Sequence, residues 1–197
     1  MTFPLHPSRA APSRRGFTLI EIAISLTILA CAISMFTTTV ISMLRQREVN
    51  RQNSLASRAI QSTLERIRNE PLSGVWALYN PDPDDDPLGP GTAPGETFDV
   101  EGLARRTLTP DLPVGLVLLP GLDTADAGDP PQWELREDLE APELGMPRDL
   151  DLDHVIDALD HGSDCRLLPV EVRLRWEGPL GPREMRMRTV LIDYRMS

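Results

Sequence analysis

The stretch RRGFTLIEIAISLTILACAISMF, residues 14–36, decides the fold. It is a run of helix-forming and apolar residues, without proline, that opens on two arginines and a glycine. The apolar segment continues to Leu44, and from Phe17 to Leu44 the one charged residue is Glu21. At 1.5 Å per residue those 28 residues span about 42 Å as a helix, enough to cross a hydrocarbon core of about 30 Å. The run is too long for the apolar region of a secretory signal, and no small-x-small cleavage pattern follows it. Arginines stand on both flanks, at 9, 14 and 15 before it and at 45, 47 and 51 after it. The leading ones favour a cytoplasmic amino terminus, but the charge rule alone does not decide orientation. A carboxylate inside such a run costs several kcal/mol if it stays charged and unpaired, so Glu21 demands a partner or a path to water.

The helical pattern does not stop at the end of the apolar run. Residues 45–70 contain no glycine or proline, and Val49, Ala56, Ile60, Leu64 and Ile67 recur on one helical face. Arg47, Arg51, Arg58, Glu65 and Arg68 mark the opposite face. Pro71 ends the pattern, because the residue before a proline is pushed out of the helical region. A single helix of about 80 Å is therefore expected over Thr18–Asn69. Its apolar stripe over 45–70 is the surface on which a head domain would pack. A coiled coil is the poorer alternative, with barely three heptads of weak apolar positions.

Beyond Pro71 the chain is acidic and punctuated. The whole molecule has a formal charge of −10, and −13 with the leader Met1–Gly16 set aside, since that leader holds three arginines and no acid. A body of that sign repels phosphate backbones, so nucleic acid is excluded as a partner. Trp76 and Tyr79 are expected as core anchors in an otherwise irregular 71–96 region. Residues 81–95 (PDPDDDPLGPGTAPG) form an acidic loop, whose Asp82, Asp84, Asp85 and Asp86 are weak calcium candidates because prolines at 81, 83 and 87 hinder wrapping. Strands are expected at 97–103, 114–120 and 132–137, separated by turn-rich stretches such as 121–131. A final hairpin, 168–194, alternates Val170, Val172, Leu174 and Trp176 against Glu171, Arg173 and Arg175, with EGPLGP as its turn. Its apolar face needs a cover, and the stripe on the long helix is available. The expected class is α+β: a long amino-terminal membrane-spanning helix packed on a small antiparallel carboxy-terminal head.

Chemistry-bearing clusters are few. The segment DLDLDHVIDALD (149–160) places Asp149, Asp151, Asp153, Asp157 and Asp160 at positions 1, 3, 5, 9 and 12 of a calcium-loop pattern, with the Val155 carbonyl at position 7. The departure is His154 at position 6, where a positive φ calls for glycine. The alternative is an acidic solvated turn. Cys31 and Cys165 lie at membrane depth and in the head respectively, which rules out a bridge between them. His6, His154 and His161 have no metal-ligand spacing, GSDC before Arg166 lacks a base, and no phosphate-binding glycine loop exists. Enzymatic activity is not expected.

RRGFTLIE, with the long apolar helix behind it, resembles the prepilin leader of type IV pilins and type II secretion pseudopilins. The ending, with its VxVxW strand, glycine turn, arginine and threonine-containing strand, resembles the I-type minor pseudopilin and the pilus protein usually called V. The resemblance implies removal of residues 1–16 by a prepilin peptidase that cuts between Gly16 and Phe17, and N-methylation of Phe17. It leaves a helix 17–70 (17–44 in membrane or filament core, 45–70 amphipathic) and a head 71–197. It also implies a role for Glu21. The carboxylate lies about 6 Å along the axis from the Phe17 amine, and a subunit docked with a small offset would bring its own amine to it. Snorkelling of Glu21 to the headgroups is the competing reading. The implied partners are the peptidase, sibling subunits and inner-membrane lipid, with a periplasmic head and a role in secretion or pilus assembly. The rival function is a single-pass inner-membrane protein that never polymerises, with calcium bound by its acidic head.

Overall fold

In a computed structural model, residues 16–125 and 132–193 are described. The leader residues Arg9, Arg14, Arg15 and His6, and Tyr194 at the end of the expected hairpin, lie outside them. The chain divides into two units, residues 1–46 and 47–197.

Helix α1 runs over Leu19–Asn69. Within the first unit every described residue is exposed, including Leu19, Ile28, Phe36 and Met43. The hydroxyls set among them do not call for water. Ser25 donates to the Glu21 carbonyl at 2.8 Å, Thr27 to Ala23 at 2.9 Å, and Ser34, Thr37, Thr38, Thr39 and Ser42 repeat the same bond four residues back. Each polar group is satisfied inside the helix, which is what a segment surrounded by hydrocarbon requires.

From Arg47 onward the helix has a buried face: Val49, Gln52, Ala56, Ile60, Thr63, Leu64 and Ile67. The five apolar positions are those the periodicity predicts, while Gln52 and Thr63 complete the stripe with polar groups. Pro71 does not open an irregular stretch as expected. It stands at the amino-terminal cap of a second helix, α2 (Leu72–Tyr79), with φ −60°. Proline's fixed φ is pre-set for a helix start, so the same residue that ends α1 begins α2. Val75, Trp76 and Tyr79 face inward at helical spacing and are buried as anchors.

The head's main sheet has the order β1-β2-β5-β6, all antiparallel: Thr97–Phe98, Gly115–Leu118, Leu167–Gly178 and Gly181–Ile192. Of the predicted 97–103 strand only two residues pair, because Gly102 turns the chain at φ +84°. Strand β3 (Gly121–Asp123) lies where only turns were expected and pairs with β4 (Trp133–Leu135) in a separate two-stranded sheet. The β5–β6 hairpin closes through Pro179 and Leu180, with Gly178 opposite Gly181. Gly115 is needed on β2, since a Cβ there would lie 2.5 Å from the Phe98 ring.

Ala56, Ile60, Leu64 and Ile67 of α1 join Trp76 and Tyr79 of α2 and Val117, Leu168, Val170, Val172, Leu174 and Trp176 of the sheet in one core. Burying each large aliphatic side chain contributes roughly 1.5–3 kcal/mol. Glu171 departs from the hairpin's alternation: expected on the wet face, it is fully buried. Its two oxygens accept from Arg173 at 2.7 Å and Arg188 at 2.6 Å, so the charge is taken out of water with both partners in place.

Candidate functional site

Among the described residues, two places hold residues whose chemistry exceeds packing: the start of α1 and the acidic loop 149–164.

At the first, Gly16 and Phe17 precede the helix outside any regular element, with Phe17 81% exposed. Thr18 and Glu21 form a reciprocal cap. The Glu21 amide donates to Thr18 Oγ1 and the Thr18 amide donates to Glu21 Oε2, both at 3.4 Å, and the Thr18 hydroxyl also reaches Oε2 at 3.4 Å. This is the T-x-x-E capping box, spelled by TLIE (18–21) inside the motif itself. Sequence reasoning passed over it, although the signal was present. A carboxylate at the third helical position also meets the positive end of the helix dipole. Glu21 is thus held at long, weak contacts at the start of its own helix.

Behind that start, an 18-residue window of α1 has a mean hydropathy of 2.3, long and apolar enough to cross a membrane. An exposed apolar surface of that extent is not stable in water. It requires an apolar surrounding such as lipid.

In the acidic loop, the twelve-residue candidate is divided among different tasks. Asp149 accepts from the amides of Leu152 and His154, the latter at 2.8 Å. Burial opposes the charge on Asp149, but those two amides hold its carboxyl below the usual range. Asp151 and Asp153 each cap the amide two residues on, that of Asp153 at 3.0 Å and of Val155 at 2.7 Å. Asp160 turns away to accept from Leu135 and Gly162, both at 3.0 Å. His154 has φ +74°, so the sixth position adopts the left-handed turn that its place in the pattern asks of glycine.

Two residues outside that pattern pull the loop together. Glu137, at the end of the QWELRE segment, is fully buried and accepts from the amides of Leu150, Asp151 and Asp157. His161 is buried between Asp157, 3.2 Å from Nε2, and Asp164, 3.1 Å from Nδ1. Burial works against the charged ring, yet Asp157, Glu137 and Asp164 together push its pKa above the ordinary histidine value. Ligand atoms of Glu137, Asp149 and Asp151 lie within 4.8 Å of one another, as do those of Glu137, Asp157 and His161. Of the predicted ligands, Asp149, Asp151 and Asp157 are therefore brought into such groups, each with Glu137. Asp153 and Asp160 are not. No spacing rule pointed to Glu137, because it lies just after β4, twelve residues upstream of the loop. Among the described residues, the Asp82–Asp86 loop forms no such group; its acids bond to their own loop and to Asn80.

Comparison with known proteins places the start of the chain. The prokaryotic N-terminal methylation motif matches residues 12–37, which contain Gly16, Phe17 and Glu21. With a long apolar helix ahead of an antiparallel sheet, the chain has a pilin-like α+β layout, and the motif is consistent with a type IV pilin-like or pseudopilin protein. Neither the curated proteins nor the solved structures yield a match to the chain.

Proposed function

We propose that the chain is a minor pilin-like subunit of a type II secretion pseudopilus or a type IV pilus, processed between Gly16 and Phe17 and methylated on Phe17. The carrying observation is the methylation motif seated at the start of a helix whose apolar residues up to position 46 are all exposed. In this reading the helix enters the membrane with its amino terminus cytoplasmic and its head periplasmic, then moves into a helical bundle with siblings. Glu21 pairs with the Phe17 amine of the next subunit and sets the axial register. Glu21→Ala tests this by leaving the protein in the membrane fraction while removing it from sheared filaments. Amino-terminal sequencing of the mature protein should begin at Phe17. Normal incorporation of the variant, or a mature chain still beginning at Met1, overturns the proposal in favour of a non-polymerising membrane protein.

A second reading concerns the head. The convergence of Glu137, Asp149 and Asp151 within 4.8 Å supports a calcium ion held by the 149–160 segment as a structural brace. Calorimetry on the full chain in detergent checks it. Absence of both heat and any change in melting temperature at millimolar calcium excludes the ion and leaves the hydrogen-bonded loop as the brace.

A further inference from the structure

A cleft of about 360 Å³ opens between α2, the end of β2 and the β3–β4 sheet. Small-ligand sites run from roughly 300 to 1,000 Å³, so it has room for one small molecule or a large side chain. Three rings wall it: Trp76 and Tyr79 of α2 and Trp133 of β4. Gly121 stands between the two indoles. A Cβ there would lie 2.5 Å from the Trp76 ring and 3.3 Å from that of Trp133, so the absent side chain is what lets both rings close on the cleft. The charged residues that line it are Glu96, Glu140 and Glu143, and no arginine does. Among the described residues none of these three carboxylates has an ion pair or a hydrogen bond to its side chain.

Glu96 is half-buried, and burial pushes its carboxyl above the ordinary glutamate value with nothing opposing it. It also borders the neighbouring cleft that holds Arg106, Arg173 and Arg175. Arg173 is taken by Glu171 and Arg175 by Glu184, and Arg106 does not bond to Glu96. Tyr79 is 2% exposed, yet its hydroxyl has no hydrogen-bond partner among the described residues and keeps a contact with solvent. Its ring already carries one cation: the Arg66 guanidinium lies 5.8 Å from the centroid, outside the cleft lining and paired with none of the cleft's carboxylates. Aromatic faces and unpaired carboxylates favour the same ligand, a positive charge on an apolar body. A neutral apolar occupant would bury the Glu96 carboxylate further without a partner, which costs free energy. We propose that the cleft binds an organic cation, a guanidinium or ammonium group on an apolar body, with its charge against Glu96, Glu140 and Glu143 and its body against the three rings. The site lies wholly in the head, so it holds or fails separately from processing at Gly16–Phe17 and from Glu21.

The test uses the full chain in uncharged detergent micelles, with benzamidinium as the probe and calorimetry as the readout, the heat from protein-free micelles being subtracted. Binding should saturate and weaken as salt is added. Benzamide has nearly the same shape without the charge and should bind about ten-fold more weakly or worse. Glu96→Gln should cost about ten-fold, and Trp133→Leu about three-fold. Glu140→Gln with Glu143→Gln alters exposed residues only, so its loss of affinity cannot come from a damaged core. Glu101→Gln removes an exposed charge outside the cleft and should leave binding unchanged, which separates the site from the general attraction of a chain of charge −10. A second titration, with acetyl-Leu-Arg-Leu-amide, assigns the source: tighter binding than benzamidinium points to a protein side chain, weaker binding to a free molecule. Absence of saturable benzamidinium binding overturns the proposal. So does equal binding of benzamide, or wild-type affinity in both Glu96→Gln and the Glu140→Gln, Glu143→Gln variant.

Discussion

Gln52 is a polar residue on the buried face of α1, 8% exposed, and its Oε1 accepts the indole N–H of Trp176 at 3.1 Å. Trp176 is itself 1% exposed, so no water is at hand to replace that acceptor. Gln52→Ala therefore orphans a buried donor, which costs about 1–3 kcal/mol. The other Gln52 contact, to Glu48 Oε1 at 3.1 Å, is near the surface and adds little. For a protein of this size the loss lowers the melting temperature by about 2–4 °C per kcal/mol, hence by roughly 4–8 °C at the middle of the range. The assay is thermal unfolding of the full chain in detergent, followed by circular dichroism, in a cycle with Trp176→Phe. Phenylalanine has no N–H to orphan, so on that background Gln52→Ala should cost under about 0.5 kcal/mol, leaving a coupling of about 1–2 kcal/mol. An equal drop on both backgrounds would refute the hydrogen bond as the reason a glutamine interrupts the stripe.

His161 and Cys165 give two further expectations. The folded-state pKa of His161 lies above its unfolded value, so its contribution is full below about pH 6.5 and fades as pH rises through the folded pKa. Melting temperature should accordingly fall as pH rises above about 6.5, and His161→Gln should flatten that slope; an unchanged slope would move the effect to another group. Burial pushes the Cys165 thiol up to about 11, which keeps it protonated at neutral pH. In folded protein it should resist iodoacetamide at pH 8 and react once denaturant is added, and prompt native labelling would contradict its burial.

The elements written in long periodic patterns were legible: α1 from its stripe of Ala56, Ile60, Leu64 and Ile67, and the β5–β6 hairpin from its period-two alternation. What escaped depends on partners distant in sequence. Strand β3 has three residues and exists because β4 pairs with it. Glu171 reads as an outward charge in any alternating strand, and its burial is explained only when Arg188, seventeen residues on, joins Arg173 on its carboxylate. The acidic loop shows the same divide. Its aspartates are visible as a spaced pattern, but Glu137, which gathers the amides of Leu150, Asp151 and Asp157, lies on another segment. Helix α2 was hidden differently: Pro71 was read for the helix it ends and not for the one it begins.

The capping box at the start of α1 separates two explanations of Glu21. In one, the carboxylate matters because it caps its own helix; in the other, because it meets a second chain's amine. The cap bonds are 3.4 Å long, beyond the 2.7–3.2 Å of good hydrogen bonds, so they hold the carboxylate loosely. Losing such a cap costs about 0.5–1 kcal/mol, whereas stranding a charge in a water-poor bundle costs several. Under the proposed intersubunit pairing, a neighbouring amine would outcompete Thr18 for the carboxylate, and the cap would hold Glu21 at the helix end only until then. The consequence is an asymmetry between the two partners of the cap. Thr18→Ala should leave incorporation into sheared filaments within about two-fold of wild type, since it removes only the weaker term. Glu21→Ala should reduce it to background. Equal losses in the two variants, at equal amounts of membrane-inserted protein, would assign the carboxylate to its own helix and remove the intersubunit pair.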